Sequence, residues 1–418
     1  MTEFSKLARK ITWVLFAAQS LTSAGFIAAA TINPILGAQL ADDRSWATLP
    51  TAVYLLSGAL SASAWGYIMD RIGRRNAIVL SLVIGVLGNI LVLVAIPVSS
   101  FLLVTLGSIL MGITSAAITL GRFAAAEVNP PEQRGRAIST VVFGGVVGSI
   151  LARVSAVPMG DLAISIGMDE LAGAYIATLV LFAIATVIVF FGLRPDPRDL
   201  GKEVARLHPE LELRPEGESR PIGQILRQPA AMTAVIAMAL GQVVMVAIMV
   251  ITSLHMEDHQ HARSDIYSVI SAHTFGMFFF SVISGRLADK WGRGMVILIG
   301  ASTLLLACII APISPDVLPL GISLFLLGLG WNFCFVGGSA LLADQLSPLE
   351  RSRTQGTGDL LVGLASAFIS LSSGFIFEAA GYTVIAIIAG VLALVPLVMS
   401  LAFLRRKVVT VVGAGGHT

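Results

Sequence analysis

The chain alternates long apolar stretches with short polar connections. A helix that crosses a hydrocarbon layer needs about 20 mostly apolar residues. On that spacing twelve spans are expected: 12–33, 47–68, 76–97, 101–122, 138–159, 171–193, 230–253, 265–286, 295–313, 318–342, 357–378 and 382–403. Each must be a helix, because an open strand edge inside lipid would leave its backbone N–H and C=O groups without partners. The first run follows Lys6, Arg9 and Lys10 and passes through Ala28–Ala30, an arrangement like that of a signal peptide. It is too long for a secretory apolar region and many similar runs follow it, so it reads as the first membrane helix. The expected class is an all-α membrane protein with twelve transmembrane helices.

Composition agrees with that class. Of 418 residues, 56% are hydrophobic and 12% charged, against about 25% charged in a soluble domain. A net charge of +2 gives no basic surface for nucleic acid. Cys308 and Cys334 stand in apolar runs and supply neither a disulfide framework nor a zinc spacing. Nothing points to an enzyme, since there is no nucleotide loop and no nucleophile–base pair. The basic residues set the orientation. With the N-terminus inside, only Arg44 and Arg263 of the 27 Lys+Arg fall in outer loops, Arg153 falls within a helix, and the rest lie on the cytoplasmic side. Both termini are therefore expected in the cytoplasm of a multi-pass protein.

The chain also repeats itself. GYIMDRIGRR joins spans 2 and 3, with Gly66, Asp70, Arg71, Gly73, Arg74 and Arg75. GRLADKWGRG joins spans 8 and 9, with Gly285, Asp289, Lys290, Gly292 and Arg293. A second pair, AEVNPPEQRGR at 126–136 and ADQLSPLERSR at 343–353, sets Glu127 over Asp344 and Arg134 over Arg351. The repeats predict two six-helix halves, 1–193 and 230–418, related by a pseudo-two-fold axis. The Pro-rich, charged segment 194–229 is expected as a cytoplasmic linker with a short amphipathic helix around 199–208. Proteins built from such repeats place substrate near the midplane, between the halves.

The G-x-x-x-D-R/K-x-G-R loop at both equivalent places resembles the signature of the major facilitator superfamily, and the resemblance spans nearly the whole chain. It implies a transporter working by alternating access. It also implies a cytoplasmic latch carried here by Gly66, Asp70, Arg71, Arg74, Gly285, Asp289 and Arg293. Signatures of drug exporters in that superfamily are missing. The arginine of the fourth helix would fall at Ser108, and the Gly-Pro pair of the fifth near Ala152–Arg153. Arg153 lies about 15 residues into span 5, roughly 22 Å from its inner end at 1.5 Å per residue. It is either a functional intramembrane charge or a side chain that snorkels to the outer surface. Asp359 opens span 11 and is either a proton carrier or a helix cap and partner of Arg351 and Arg353.

Spans 7 and 8 carry a second constellation. Met245 and Met249 form M-x-x-x-M, and His273 and Met277 form H-x-x-x-M. The i, i+4 spacing puts each pair on one helix face. With a turn near Asp258–Arg263, Met249 stands about ten residues before it and His273 about twelve after, so the pairs reach similar depth. Neutral thioether and imidazole ligands suit Cu(I). The intervening stretch LHMEDHQHARSD adds His255, Met256, His259 and His261 as a metal-collecting mouth. Methionine is also a common gap-filler in apolar helices, so packing is the competing explanation.

MVAIM followed by HTFGM resembles the CcoA-type copper importers of bacteria, a group whose relatives include riboflavin transporters. The resemblance implies Met245, Met249, His273 and Met277 as copper ligands, with copper as transported substrate and no resident cofactor. It implies import across the bacterial cytoplasmic membrane by a monomer, with a cytoplasmic copper acceptor as a possible partner besides the lipid bilayer. The alternative is a secondary transporter of an organic solute, riboflavin-like or a drug. In that case Trp331 and Asn332, with Gln19 and Asn33, would line the cavity or else serve helix packing.

Overall fold

In the computed structural model, which describes residues 3–207, 220–346 and 348–414, every regular element is helical. The helices are α1 Glu3–Leu40, α2 Leu49–Ile72, α3 Arg74–Ala95, α4 Phe101–Glu127, α5 Pro131–Ser165, α6 Ala172–Gly192, α7 Pro197–Leu207 and α8 Ile222–Leu226. They continue with α9 Pro229–Asp258, α10 Arg263–Phe279, α11 Ser281–Trp291, α12 Arg293–Ile310, α13 Val317–Ala343 and α14 Pro348–Ala414. Ten are long and apolar enough to cross a membrane, and α10 with α11 makes one more span, bent by 43°. α14 is itself two spans, broken at Gly381 with φ 78° and ψ 178°. Twelve crossings result, in keeping with the twelve apolar runs. An even number returns the chain to the side where it began, called here the near end; the opposite side is the far end. Exposed apolar side chains such as Leu87, Phe191 and Phe368 make the outer wall that lipid would cover.

Span 8 reads as one continuous helix in the sequence but is bent at Phe280. Asn332 of α13 supplies the reason. Its Nδ2 donates to the Met277 carbonyl at 2.6 Å and to Ser281 Oγ at 2.8 Å, while Ser284 Oγ donates to its Oδ1. A side-chain amide thus takes a carbonyl that would otherwise serve the helical ladder, a standard cause of a kink. Elsewhere helices meet through small residues. A Cβ built on Gly112 would lie 2.2 Å from the Tyr54 carbonyl oxygen and 2.1 Å from Ser57 Oγ, so α2 and α4 cross there only because position 112 has no side chain.

The duplicated loops have matching geometry at the near end. Gly73 and Gly292 take φ of 91° and 89°, a region open to glycine at little cost. Arg74 pairs with Asp70 at 2.7 Å and with Glu127 at 2.7 Å. Arg293 pairs with Asp289 at 3.3 Å, and its Nε lies 3.0 Å from Asp344 without hydrogen-bond alignment. Arg71 instead donates to Tyr67 Oη at 3.4 Å. The side chain of Arg351 lies outside the described residues.

The segment after α6 is tied to the first of these loops. Asp196 accepts from the backbone N–H groups of Arg74 at 3.1 Å and Arg75 at 3.0 Å, which caps α3. Arg198 donates to the carbonyls of Asp70 and Arg71 at 3.1 and 3.3 Å. Further on, Arg220 bonds Glu350 at 2.8 Å and the Gln345 carbonyl at 2.7 Å. The hydrogen bonds to Glu350, with its charge, hold the Arg220 guanidinium above its ordinary value.

At the far end the two halves are joined by ions. Arg44, in a 3₁₀ turn at Arg44–Trp46, bonds Asp258 of α9 and lies 3.9 Å from Glu378 of α14. Asp43 caps that turn by accepting from Ser45 N and Oγ, bonds that hold its carboxyl below the usual range. Arg263 of α10 bonds Glu257 and reaches Glu170, next to α6, at 3.8 Å. The only two basic residues that sequence reading puts in far-end loops each bridge the two halves. Ser271 Oγ donates to the Ser149 carbonyl at 2.9 Å and adds a neutral link between α10 and α5.

Two outcomes are expected. Gly112→Val drives a methyl into backbone that has no freedom to retreat, and should cost about 3 kcal/mol or more. Thermal melting of the detergent-purified variant measures it, and an unchanged midpoint would contradict the close crossing. Arg44→Gln combined with Arg263→Gln removes the ionic closure. Each exposed pair contributes at most about 1 kcal/mol, so together they should change far-end opening about tenfold. Labelling of a cysteine placed at Ala30, on the inner wall of the bundle, by an impermeant thiol reagent reads the change. Equal labelling in both backgrounds would show that the arginines do not hold that end closed.

Candidate functional site

Between the halves α1, α2 and α4 enclose, with α9, a cavity of about 100 Å³. Its wall is apolar and soft, formed by Phe26, Tyr54, Met111, Met245 and Met249 among others, and none of its lining residues is charged. Phe26 and Tyr54 stand 6.0 Å apart between ring centroids, tilted by 53°. Two amides interrupt the wall, Asn33 and Gln242. Asn33 Oδ1 accepts from Tyr175 Oη at 2.5 Å, and Gln242 Oε1 accepts from Trp331 Nε1 at 2.6 Å. Each amide oxygen accepts one hydrogen bond, and each amide also carries an NH2 donor. The cavity is therefore an aromatic and thioether slot with amide donors.

The two Met/His pairs have different surroundings. Met245 and Met249 line the cavity; His273 and Met277 do not. His273 is fully buried, its Nδ1 is 2.9 Å from the Leu324 carbonyl of α13, and its Nε2 has no hydrogen-bond partner. A Cβ on Gly328 would lie 2.1 Å from the His273 carbonyl, so α10 packs closely on α13 at this point. Met277 is half-buried, with its carbonyl held by Asn332.

Of the far-end candidates, His255 and His259 are in contact, while His261 and Met256 have other partners. His255 stacks on Tyr382 at 4.2 Å, and His259 meets it edge-on at 4.4 Å. His261 Nε2 bonds the Pro315 carbonyl at 2.9 Å, and Met256 is fully buried in the apolar core. Among the described residues no group of three His, Cys, Asp or Glu side chains is placed to hold a metal ion.

The remaining sequence candidates divide between packing and the interior. Asn332 is buried and serves the kink of span 8. Trp331 reaches the cavity through Gln242 and stacks on Phe335 at 5.1 Å. Gln19 bonds Ser23 Oγ at 2.9 Å, outside the cavity wall. Arg153 is exposed beside the exposed Ile150 and Val154, which is the lipid-facing side. Asp359 faces Arg122 of α4 across the two halves, close enough to feel its charge but with no ion pair within 4.0 Å. The side chains of Arg351 and Arg353 lie outside the described residues. Phe26, Tyr54, Met111 and Gln242 were not singled out by sequence reading. Only Gln242 carried a signal, as an amide within an apolar span.

Comparison with known proteins agrees with this architecture. The chain matches the Major Facilitator Superfamily over residues 15–262 and 244–416. It is 33% identical over 367 residues to YdeG of Bacillus subtilis, described as an uncharacterized MFS-type transporter, covering 86% of this chain and 84% of the relative. It is 28% identical over 362 residues to the riboflavin transporter RfnT of Brucella anthropi, covering 87% of each. Among solved structures, a peptide transporter POT bound to alafosfalin superposes with a TM-score of 0.67 at 15% identity, over 96% of this chain and 99% of the other. The human organic anion transporter MFSD10 gives 0.64 at 15% identity, over 94% and 99%. At that identity the likeness concerns the fold alone. With twelve crossings, duplicated near-end loops and a cavity between the halves, the chain belongs to the Major Facilitator Superfamily of membrane transporters.

Proposed function

We propose that this transporter carries an uncharged, planar organic solute bearing carbonyl acceptors, of the riboflavin type, across the bacterial cytoplasmic membrane. The cavity chemistry carries this reading. An aromatic pair and three thioethers suit the faces of a heterocycle. Asn33 and Gln242 present donors, which suit its carbonyls. The lack of charge in the lining disfavours an ionic cargo. The relative RfnT, described as a riboflavin transporter, supports the same class.

The near end, where the basic residues concentrate, is taken as cytoplasmic. The far end is closed by Arg44 and Arg263, so the conformation is one closed to the outside. A cavity of about 100 Å³ is smaller than such a solute. Because both halves build its wall, it widens as they rock apart. In this reading the loops of Arg74 and Arg293 act as the latch that biases the rocking.

Cu(I) import is the second reading, and one observation favours it. Met245 and Met249 both face the cavity, whose small volume suits an ion. One experiment separates the two. Uptake of labelled riboflavin and of copper under reducing conditions is compared for the wild type, Phe26→Ala with Tyr54→Ala, and Met245→Leu with Met249→Leu. The organic reading expects riboflavin uptake that falls about tenfold or more in the aromatic variant and stays within about twofold in the Met→Leu variant, which preserves apolar volume. Copper uptake that vanishes in the Met→Leu variant, with no riboflavin uptake at all, would replace it with the metal reading.

A further inference from the structure

The near end holds a second cavity, of about 660 Å³, between the first turns of α1 and the start of α5. It shares no lining residue with the central cavity. Arg9 and Trp13 of α1 face Gln133 and Arg136 of α5 across it, with Asn129 between. Its volume is that of a small-molecule site, which typically spans about 300–1,000 Å³.

The two arginines differ from their neighbours. Arg74, Arg75 and Arg134, at the same end of the same half, each donate to a named acceptor, and Arg122 has the charge of Asp359 nearby. Among the described residues Arg9 and Arg136 are exposed and make no hydrogen bond or ion pair through their guanidinium groups, and the described lining contains no carboxylate. Two like charges facing one cavity, with no carboxylate in its described lining, repel each other, and the arrangement becomes favourable once an anion enters. A phosphate oxygen pair matches the guanidinium fork bidentately.

The cavity also has an apolar side. Phe4 and Ala137 line it, and Trp13 is 51% exposed, where a tryptophan typically marks the boundary between headgroups and acyl chains. The groove thus pairs phosphate chemistry with a short apolar wall. Basic pockets between membrane helices take anionic headgroups on these physical grounds.

We propose that the α1–α5 groove binds the phosphodiester headgroup of an anionic phospholipid, with Arg9 and Arg136 as its ligands and Trp13 against the glycerol and upper acyl region. The site shares no lining residue with the central cavity, so the proposal holds whichever solute is carried.

The test uses the full-length protein purified in neutral detergent, with binding read by native mass spectrometry and by the shift in thermal melting. The probes are dioleoyl phosphatidylglycerol, dioleoyl phosphatidylcholine and sn-glycerol 3-phosphate. Wild type should bind phosphatidylglycerol in preference to phosphatidylcholine. Arg9→Gln with Arg136→Gln should weaken that binding at least about tenfold. A control pair, Lys202→Gln with Arg206→Gln, removes the same charge from exposed positions of α7 and should leave binding unchanged. Both arginines are exposed, so the test variant keeps its fold, which size exclusion verifies. Equal phosphatidylglycerol affinity in wild type and the Arg9/Arg136 variant, or equal loss in the control, would overturn the site. Glycerol 3-phosphate binding as tightly as the lipid would overturn the lipid source and assign a soluble phosphate ester instead.

Discussion

A peptide group inside hydrocarbon has no water to bond to, and each one left unpaired costs several kcal/mol. Most of this molecule follows from that constraint. Every span is a helix because only a helix satisfies its backbone from within. Where the ladder is interrupted, a polar group has to stand in. At Phe280 that group is the Asn332 amide, which is why a buried asparagine in α13 shapes a helix it does not belong to. At the ends of α2 and α11 the chain must turn within one residue, and Gly73 and Gly292 do so at positive φ. At the start of α3 the open N–H groups are met by Asp196, contributed from beyond α6.

The same constraint pushes charge to the two ends, where it acts differently. At the near end the described ion pairs stay within a half, Arg74 with Asp70 and Glu127, Arg293 with Asp289 and Asp344. At the far end Arg44 and Arg263 join one half to the other. Pairs within a half survive a rocking motion and can guide it; pairs between halves must break. Because they are part-exposed they are weak, which suits a closure that has to open in each cycle. Arg122 and Asp359 face each other from opposite halves without pairing, so the near end retains an unspent attraction of the same kind.

The fold was legible in the sequence because it rests on local or repeated signals. Apolar length gave the twelve spans, the recurrence of G-x-x-x-D-R/K-x-G-R located the duplicated loops, and the excess of Lys and Arg on one side picked out Arg44 and Arg263 as exceptions. Both exceptions turned out to be the residues that bridge the halves. The Met245–Met249 pair was also readable from i, i+4 spacing, and both residues face the cavity. The same spacing placed His273 and Met277 on one helix face, but not on which side of the bundle that face would lie.

Sequence by itself determined how many times the chain crosses and which loops correspond, since these depend only on hydrophobic length and repetition. Tertiary structure alone decided which side chains come together: between the halves Phe26 and Tyr54 with Met245 and Met249, and Arg44 with Asp258; within a half Gln242 with Trp331, and Arg9 with Arg136 on one groove. The physical reason is the solvent. A helix in water shows its buried face through an apolar stripe, whereas a helix in lipid is apolar on both its packed and its exposed faces. Its rotation about its own axis is therefore left to packing against neighbours, and the lining of the cavity goes with it.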